Sequence, residues 1–182
     1  MALLFSAGSI CFLVGPAPGY IDLVGPQAAA VTFFAGSILF TAAGALQTSL
    51  AWPARRSPGE GRAAWRAAWI QSCGTLFFNV TTFQAMHTEL TDPDYDRLVW
   101  RPDAFGSVCF LVSGVIADRA GRGQGWQPAV NLIGCVFFGI SAVAGYVVPS
   151  TGSMLDLAAA NWNTALGAAC FLACAVATLV RR

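Results

Sequence analysis

The chain has 182 residues, of which 56% are hydrophobic and 10% are charged, and its formal net charge is +1. A typical soluble domain is roughly 25% charged, so this composition excludes an ordinary water-soluble protein and predicts an all-α integral membrane protein. We predict one membrane domain over residues 1–182, and we expect the lipid bilayer as its partner and no nucleic acid.

Six apolar segments approach the roughly 20 residues that a helix needs to cross a bilayer. They are 1–14 (in one interpretation continuing to 24), 27–51, 67–86, 102–117, 128–148 and 155–180. The fourth segment is short, and we expect Val99 and Trp100 to extend it. The first has no polar flank of the kind that precedes residue 106, so we expect the natural chain to begin upstream of Met1.

The loop arginines predict the orientation, because basic residues near span ends favour the cytoplasmic side. One side of the six-span arrangement carries eight of them: Arg55, Arg56, Arg62, Arg66, Arg119, Arg122, Arg181 and Arg182. The other side has only Arg97 and Arg101. The chain has no lysine and is rich in Ala and Gly, which is typical of GC-rich bacterial genomes. We therefore predict a multi-pass protein of the bacterial inner (plasma) membrane with both termini cytoplasmic.

Every predicted span contains a glycine followed four residues later by phenylalanine. Residues 106–112 (GSVCFLV) even repeat residues 8–14 (GSICFLV) at six of seven positions. The twelve motif residues are Gly8, Phe12, Gly36, Phe40, Gly74, Phe78, Gly106, Phe110, Gly134, Phe138, Gly167 and Phe171. Residues at i and i+4 share a helix face, and small residues let helices approach closely in lipid. We interpret the set as a helix-packing motif.

The spacing of the motif suggests a duplication. Corresponding glycines of the first and last three spans are 98, 98 and 93 residues apart. We predict a six-transmembrane-helix bundle of two repeat halves, 1–86 and 99–182, joined by an acidic outer loop at 87–98. Since three crossings is an odd number, the second half would be inverted, as in many secondary transporters. Chance similarity between apolar segments is the alternative.

Polar residues inside the spans are the candidates for function. Four lie three positions before a motif glycine: Gln71, Asp103, Asn131 and Thr164. The third span is the most polar, and polar residues in a span must find partners or line water. The candidate polar path along this span and the interface between the halves consists of Gln71, Asn79, Thr82 and Asn131. The alternative interpretation is hydrogen bonding between neighbouring helices.

Metal and catalytic chemistry find little support in the sequence. His87 precedes the acidic residues Glu89, Asp92, Asp94 and Asp96, which resemble the start of a calcium loop. However, Arg97 stands where that loop needs glycine, so we favour a solvated acidic loop. All six cysteines lie in apolar segments and fit small apolar helix residues. The sequence has no Ser-His-Asp set, phosphate loop or H-E-x-x-H motif, so we predict no enzyme, metal or cofactor.

The repeated Gly-Ser-x-x-Phe helices, together with the segment 95–103 (YDRLVWRPD), resemble uncharacterised multi-span membrane proteins of actinobacteria. The Gly-Ser-x-x-Phe helix hairpin is also similar to the YrhK-like domain. The first resemblance covers most of the chain and the second covers one hairpin at a time. Both imply a membrane protein and carry no activity or site residue.

The sequence therefore predicts a small structural or interaction protein of the membrane. A transporter or channel, with its path along the third span, is the rival interpretation. A metal- or redox-linked membrane protein using His87 or the cysteines is a remote third. Assembly into a homo-oligomer is left open. A polar cavity at the membrane midplane would favour transport, and a dry core there would favour the structural interpretation.

Overall fold

The structure is a computed structural model that describes residues 1–87 and 90–180. Three residues of the sequence analysis, Glu89, Arg181 and Arg182, lie outside this part. The long helices are α1 (Ala2–Val14), α3 (Pro26–Ala51), α4 (Glu60–Gln84), α6 (Arg101–Ala120), α7 (Gln127–Ala144) and α8 (Leu157–Val180). The short elements are α2 (Tyr20–Val24), a 3-10 turn (Trp52–Arg56), α5 (Asp92–Tyr95), a π-helical turn (Asp96–Trp100) and the antiparallel strands β1 (Val147–Val148) and β2 (Ser153–Met154).

The long helices form a closed ring in chain order: α1, α3, α4, α6, α7 and α8, with α8 packed back against α1. Neighbours within each hairpin run antiparallel. In the first hairpin, for example, Gly8 of α1 contacts Phe40 of α3, while Gly36 of α3 contacts Phe12 of α1. Such reciprocal contacts arise only when one helix rises as the other descends.

Prolines mark where several helices begin. Pro26 occupies the first turn of α3, and Pro128 that of α7, where the missing N–H costs nothing. Pro102 stands instead inside a helical segment that runs without a break from Asp92 to Ala120. A proline ring clashes with the carbonyl four residues earlier. For Pro102 that residue is Leu98, which lies in the π-helical turn Asp96–Trp100, where the helix is wider.

Several predicted boundaries need correction. The fourth segment is not short, because its helix extends back into the predicted acidic loop, much of which is helical. Helix α4 begins at Glu60, seven residues before the predicted start. Helix α7 ends at Ala144 rather than 148, because the chain turns there into the strand pair. Helix α1 ends at Val14, and α2 is a separate helix rather than its continuation.

Within the described residues, four helical segments rather than six are long and apolar enough to cross a membrane. They are Pro26–Arg56, Asp92–Ala120, Gln127–Ala144 and Leu157–Val180. Helix α1 is apolar but has only 13 residues. Helix α4 is long enough, but its polar residues keep it out of this set. The fold is therefore an all-α bundle with at least four membrane-crossing candidates.

The arrangement does not support two inverted halves. The glycine–phenylalanine contacts pair α1 with α3, α4 with α6, and α7 with α8, which makes three hairpins. Seen from one end of the bundle, the six long helices follow one another around the ring in a single direction, clockwise or anticlockwise. A half that was turned upside down about an axis in the membrane plane would follow the opposite direction. Residues 1–86 and 99–182 therefore cannot be related by the in-plane two-fold axis of an inverted repeat.

Candidate functional site

Each motif glycine provides the space that a phenylalanine ring of the neighbouring helix occupies. A Cβ atom added to Gly8 would lie 2.7 Å from the ring of Phe40 and 3.0 Å from the carbonyl oxygen of Gly36. An atom added to Gly134 would lie 2.9 Å from the ring of Phe171. Because the glycines have no side chain, the two backbones of a hairpin approach closely. The phenylalanine side chains are held toward the central axis of the six-helix ring.

The six motif phenylalanines meet on that axis, and we call them the phenylalanine plug. All are buried, and each hairpin contributes one ring to each of two triads. The outer triad is Phe12, Phe78 and Phe138, and the inner triad is Phe40, Phe110 and Phe171. Ring centroids are 5.9 Å apart for two pairs of the outer triad and 5.8 and 5.9 Å apart for two pairs of the inner triad. Within hairpins they approach to 4.9–5.7 Å, which is favourable aromatic geometry.

The closed ring of six helices explains why there is space for the phenylalanine plug. Neighbouring helix axes lie about 8–10 Å apart, so six helices in a closed ring leave an axial space about as wide as another helix. The phenylalanine rings fill the middle of that space. Cavities remain on either side of the plug, and their walls contain the polar residues of the sequence analysis.

One cavity lies between the plug and the end of the bundle that carries α2, α5 and the strand pair, and we call it the outer cavity. Its volume is about 430 Å³. The outer triad forms its floor, and most of its wall is apolar. Besides the outer triad, the residues that line this cavity include Phe33, Thr81, Thr82, Tyr95, Trp100, Asp103, Ser141, Asn161 and Thr164.

Asp103 is the charged residue of this wall. Among the residues that the structure describes, its carboxylate has no ion-pair or hydrogen-bond partner. The nearest arginine in sequence, Arg101, pairs with Asp96 at 2.8 Å, and its side chain is 60% exposed. The helix runs on through Asp103 from Asp92, so no free helix N-terminus compensates its charge.

The serine and threonine hydroxyl groups of the outer cavity are already engaged in hydrogen bonds. Thr81 donates to the carbonyl oxygen of Val99, within the π-helical turn, at 3.0 Å. Ser141 and Thr164 are 2.7 Å apart and join α7 to α8. These contacts fix part of the wall, whereas the carboxylate of Asp103, the hydroxyl of Tyr95 and the amide of Asn161 have no hydrogen-bond partner within the described chain.

The opposite side of the plug has adjoining cavities of about 120 and 480 Å³, which we call the inner cavity. Both contain Gln47, Gln71, Asn131, Cys174 and Thr178. Gln127 also lines the larger one and donates to the carbonyl of Cys174 at 3.2 Å. The inner wall is thus rich in amides and hydroxyls.

The four candidate path residues lie in three environments. Gln71 and Asn131 line the inner cavity, where Ser113 lies 3.5 Å from Gln71 Oε1. Thr82 lines the outer cavity and also bonds Ser37 of α3 at 2.8 Å. Asn79 accepts a hydrogen bond from Thr41 at 3.1 Å and joins α4 to α3. The plug separates the first pair from Thr82.

The residue three positions before each motif glycine lines a cavity. Phe5, Gln71 and Asn131 line the inner cavity, on α1, α4 and α7. Phe33, Asp103 and Thr164 line the outer cavity, on the three antiparallel helices. Asp103 has this register in the sequence but was not among the four candidate path residues, which were chosen along the third span and the interface between the predicted halves. Its register relative to Gly106 was the signal that could have identified it.

The acidic segment and the cysteines form no metal centre in the described chain, where no group of three or more His, Cys, Asp or Glu converges. His87 is exposed and contacts Phe83, with ring centroids 5.7 Å apart. All six cysteines are free thiols. Comparison with protein-family models, curated proteins and solved structures found no match.

Proposed function

We propose that all six long helices cross the bilayer. The support comes from the outward faces of the two helices that fall short by length or composition. On α4, Leu76 and Phe83 are about half exposed, while Gln71 and Thr75 are buried. Its low mean hydropathy thus comes from residues that face the bundle, and its exposed face is as apolar as lipid requires.

Helix α1 also presents large apolar side chains outward, including Leu3 and Ile10. Its 13 residues reach only about 20 Å, so its crossing requires local thinning of the bilayer, at a cost of a fraction of a kcal/mol per Å of mismatch.

The proposed orientation places the inner cavity on the cytoplasmic side of a bacterial inner membrane. Arg55, Arg62 and Arg119 lie at or beyond the inner ends of the helices, whereas Arg97 and Arg101 are near the outer end. Reporter fusions at the C-terminus and in the turn between β1 and β2 test this. We expect a cytoplasmic signal from the first and a periplasmic signal from the second, and the reverse pair would overturn the orientation.

For function, we propose a sealed membrane protein of the binding or interaction class that does not conduct. The observation that carries this is the phenylalanine plug, because an apolar constriction excludes water and so blocks conduction. Proteoliposomes loaded with ion-sensitive dyes, tested against a panel of cations, anions and protons, should show the same flux as empty liposomes. Saturable flux in the wild type would overturn the proposal.

A transporter or channel captured in a closed state is the second candidate. Two cavities on one axis, at opposite ends of the bundle, favour it. In this case the wild type would show flux, and Asn79→Ala, which removes the α3–α4 bridge to Thr41, would alter its rate. The matched variant Ser49→Ala removes a hydroxyl that bonds only within α3 and should leave the rate unchanged.

A further inference from the structure

We propose that the outer cavity binds a small organic cation that carries an apolar or aromatic body, with Asp103 as its counter-ion. This inference rests on the proposed binding function and specifies its ligand class. It follows from three properties of the same cavity: its volume, its single uncompensated charge and its aromatic walls.

The volume suits a small organic molecule. Ligand cavities in proteins usually measure about 300–1,000 Å³ and are mostly apolar with a few convergent polar groups. The outer cavity, at about 430 Å³, has this character and extends from Ile21 and Met154 near the outer mouth to the outer triad. A small organic ligand therefore fits within it.

The charge selects a cation. A carboxylate in a low-dielectric setting is costly without a partner, and no basic side chain of the described residues lines the cavity with Asp103. An entering cation supplies the missing counter-charge, whereas an anion would add repulsion. A neutral ligand could at most donate a hydrogen bond and would leave the charge of the carboxylate without a counter-charge.

The walls favour an organic cation over a metal ion. Hard cations such as calcium require about six to eight oxygen ligands, and the described chain gathers no group of three or more carboxylate, His or Cys side chains. Aromatic side chains instead line the same cavity as Asp103, including Tyr95, Trp100 and Phe78. Such rings attract ammonium groups through their quadrupoles and pack against the apolar body of the ligand.

The local backbone supports a functional role for this wall. Tyr95 immediately precedes the π-helical turn and Trp100 is its last residue, and single π turns are frequent at functional sites. Trp100 is held by a 2.8 Å hydrogen bond from its indole nitrogen to the carbonyl of Ala142. Its ring also contacts Tyr146, with centroids 4.8 Å apart, so this part of the wall is ordered before any ligand arrives.

Calorimetric titration of the full chain in phosphatidylcholine nanodiscs tests the proposal. The probes are benzyltrimethylammonium and its neutral isostere neopentylbenzene, with empty nanodiscs as the blank. We expect saturable binding of the cation that is at least about tenfold tighter than that of the isostere, because only the cation pairs with Asp103. Equal affinities, or no saturable heat with the cation, would overturn the proposal.

Variants locate the site. Asp103→Asn should weaken binding of the cation by about tenfold or more, while Asp103→Glu, which keeps the charge, should retain most of it. Asp22→Asn is the matched control, since it removes an exposed carboxylate at the same end of the bundle and should leave affinity unchanged. Unchanged binding by Asp103→Asn would refute the assignment, and the isostere comparison decides the matter if that variant does not fold.

The same probe separates this inference from the proposed function. Binding without movement of benzyltrimethylammonium across proteoliposomes supports both. Binding with saturable transport supports the site and refutes the sealed bundle. Absence of binding together with tight liposomes refutes the cation site and leaves the sealed bundle standing.

Discussion

Replacing Gly167 by alanine should destabilise the bundle, because no room exists for a methyl group at this position. The added Cβ would lie 2.5 and 2.7 Å from two ring carbons of Phe138, and 3.0 Å from the carbonyl oxygen of Gly134. Ordinary contact begins near 3.4 Å, so ring and backbone would have to retreat by several tenths of an ångström. Phe138 cannot turn aside freely, since its ring is packed 5.4 Å from that of Phe171.

The magnitude follows from comparable insertions. Adding a methyl group to a well-packed core costs about 1–3 kcal/mol, and the approach of a backbone oxygen places Gly167→Ala toward the upper part of that range. Alanine is also the better helix former by about 1 kcal/mol, which offsets part of the loss. We expect the free energy of unfolding to fall by about 2 kcal/mol.

The assay is reversible unfolding in mixed detergent micelles, followed by circular dichroism, with Gly139→Ala as the matched control. The nearest atom to a Cβ at Gly139 is Cδ1 of Leu111 at 3.1 Å, the end of a flexible side chain. This control gains the same helix propensity without meeting a rigid neighbour, so it should be neutral or mildly stabilising. Equal effects of the two variants would refute the packing account of the motif.

Two further predictions concern the core. Phe78→Ala should lower the free energy of unfolding by about 3–5 kcal/mol, because this side chain is 5% exposed. The control Phe105→Ala should change it far less, because that side chain is 60% exposed. Similar losses for the two variants in the same unfolding assay would contradict the placement of the plug. Ser9→Ala should raise the free energy of unfolding by about 1 kcal/mol. The buried Ser9 hydroxyl has no hydrogen-bond partner within the described chain, such groups cost about 1–3 kcal/mol, and an alanine, Ala168, already occupies the corresponding position after Gly167. A loss of stability in the same assay would contradict this prediction.

The sequence carried the packing motif but not its partners. The Gly-x-x-x-Phe spacing gave the correct helix face, because it depends only on helical periodicity. It could not show which helices pair, since the motif has the same form in rising and descending helices. The close match between 8–14 and 106–112 therefore suggested that α1 corresponds to α6, whereas α1 is the first helix of its hairpin and α6 is the second helix of its own.

The polar residues show a similar limit. The sequence identified α4 as the most polar helix, and Asn79 and Thr82 do make contacts with α3. Their separation from Gln71 by the plug depends on rings contributed by all six helices, which local sequence does not encode. Asp103 was not predicted as a site residue for the same reason, because the cavity that it lines is formed by helices that are distant in sequence.

The central claim, that six phenylalanines seal the axis of a six-helix ring, is tested most directly by proton flux into dye-loaded proteoliposomes. Wild-type liposomes should be as tight as empty ones. The double variant Phe110→Ala/Phe138→Ala removes one ring from each triad and should leak at least about tenfold faster, because the dry constriction is widened. The lipid-facing control Phe77→Ala/Phe105→Ala should stay tight. Leakage of the wild type, or a tight and folded plug variant, would contradict the account.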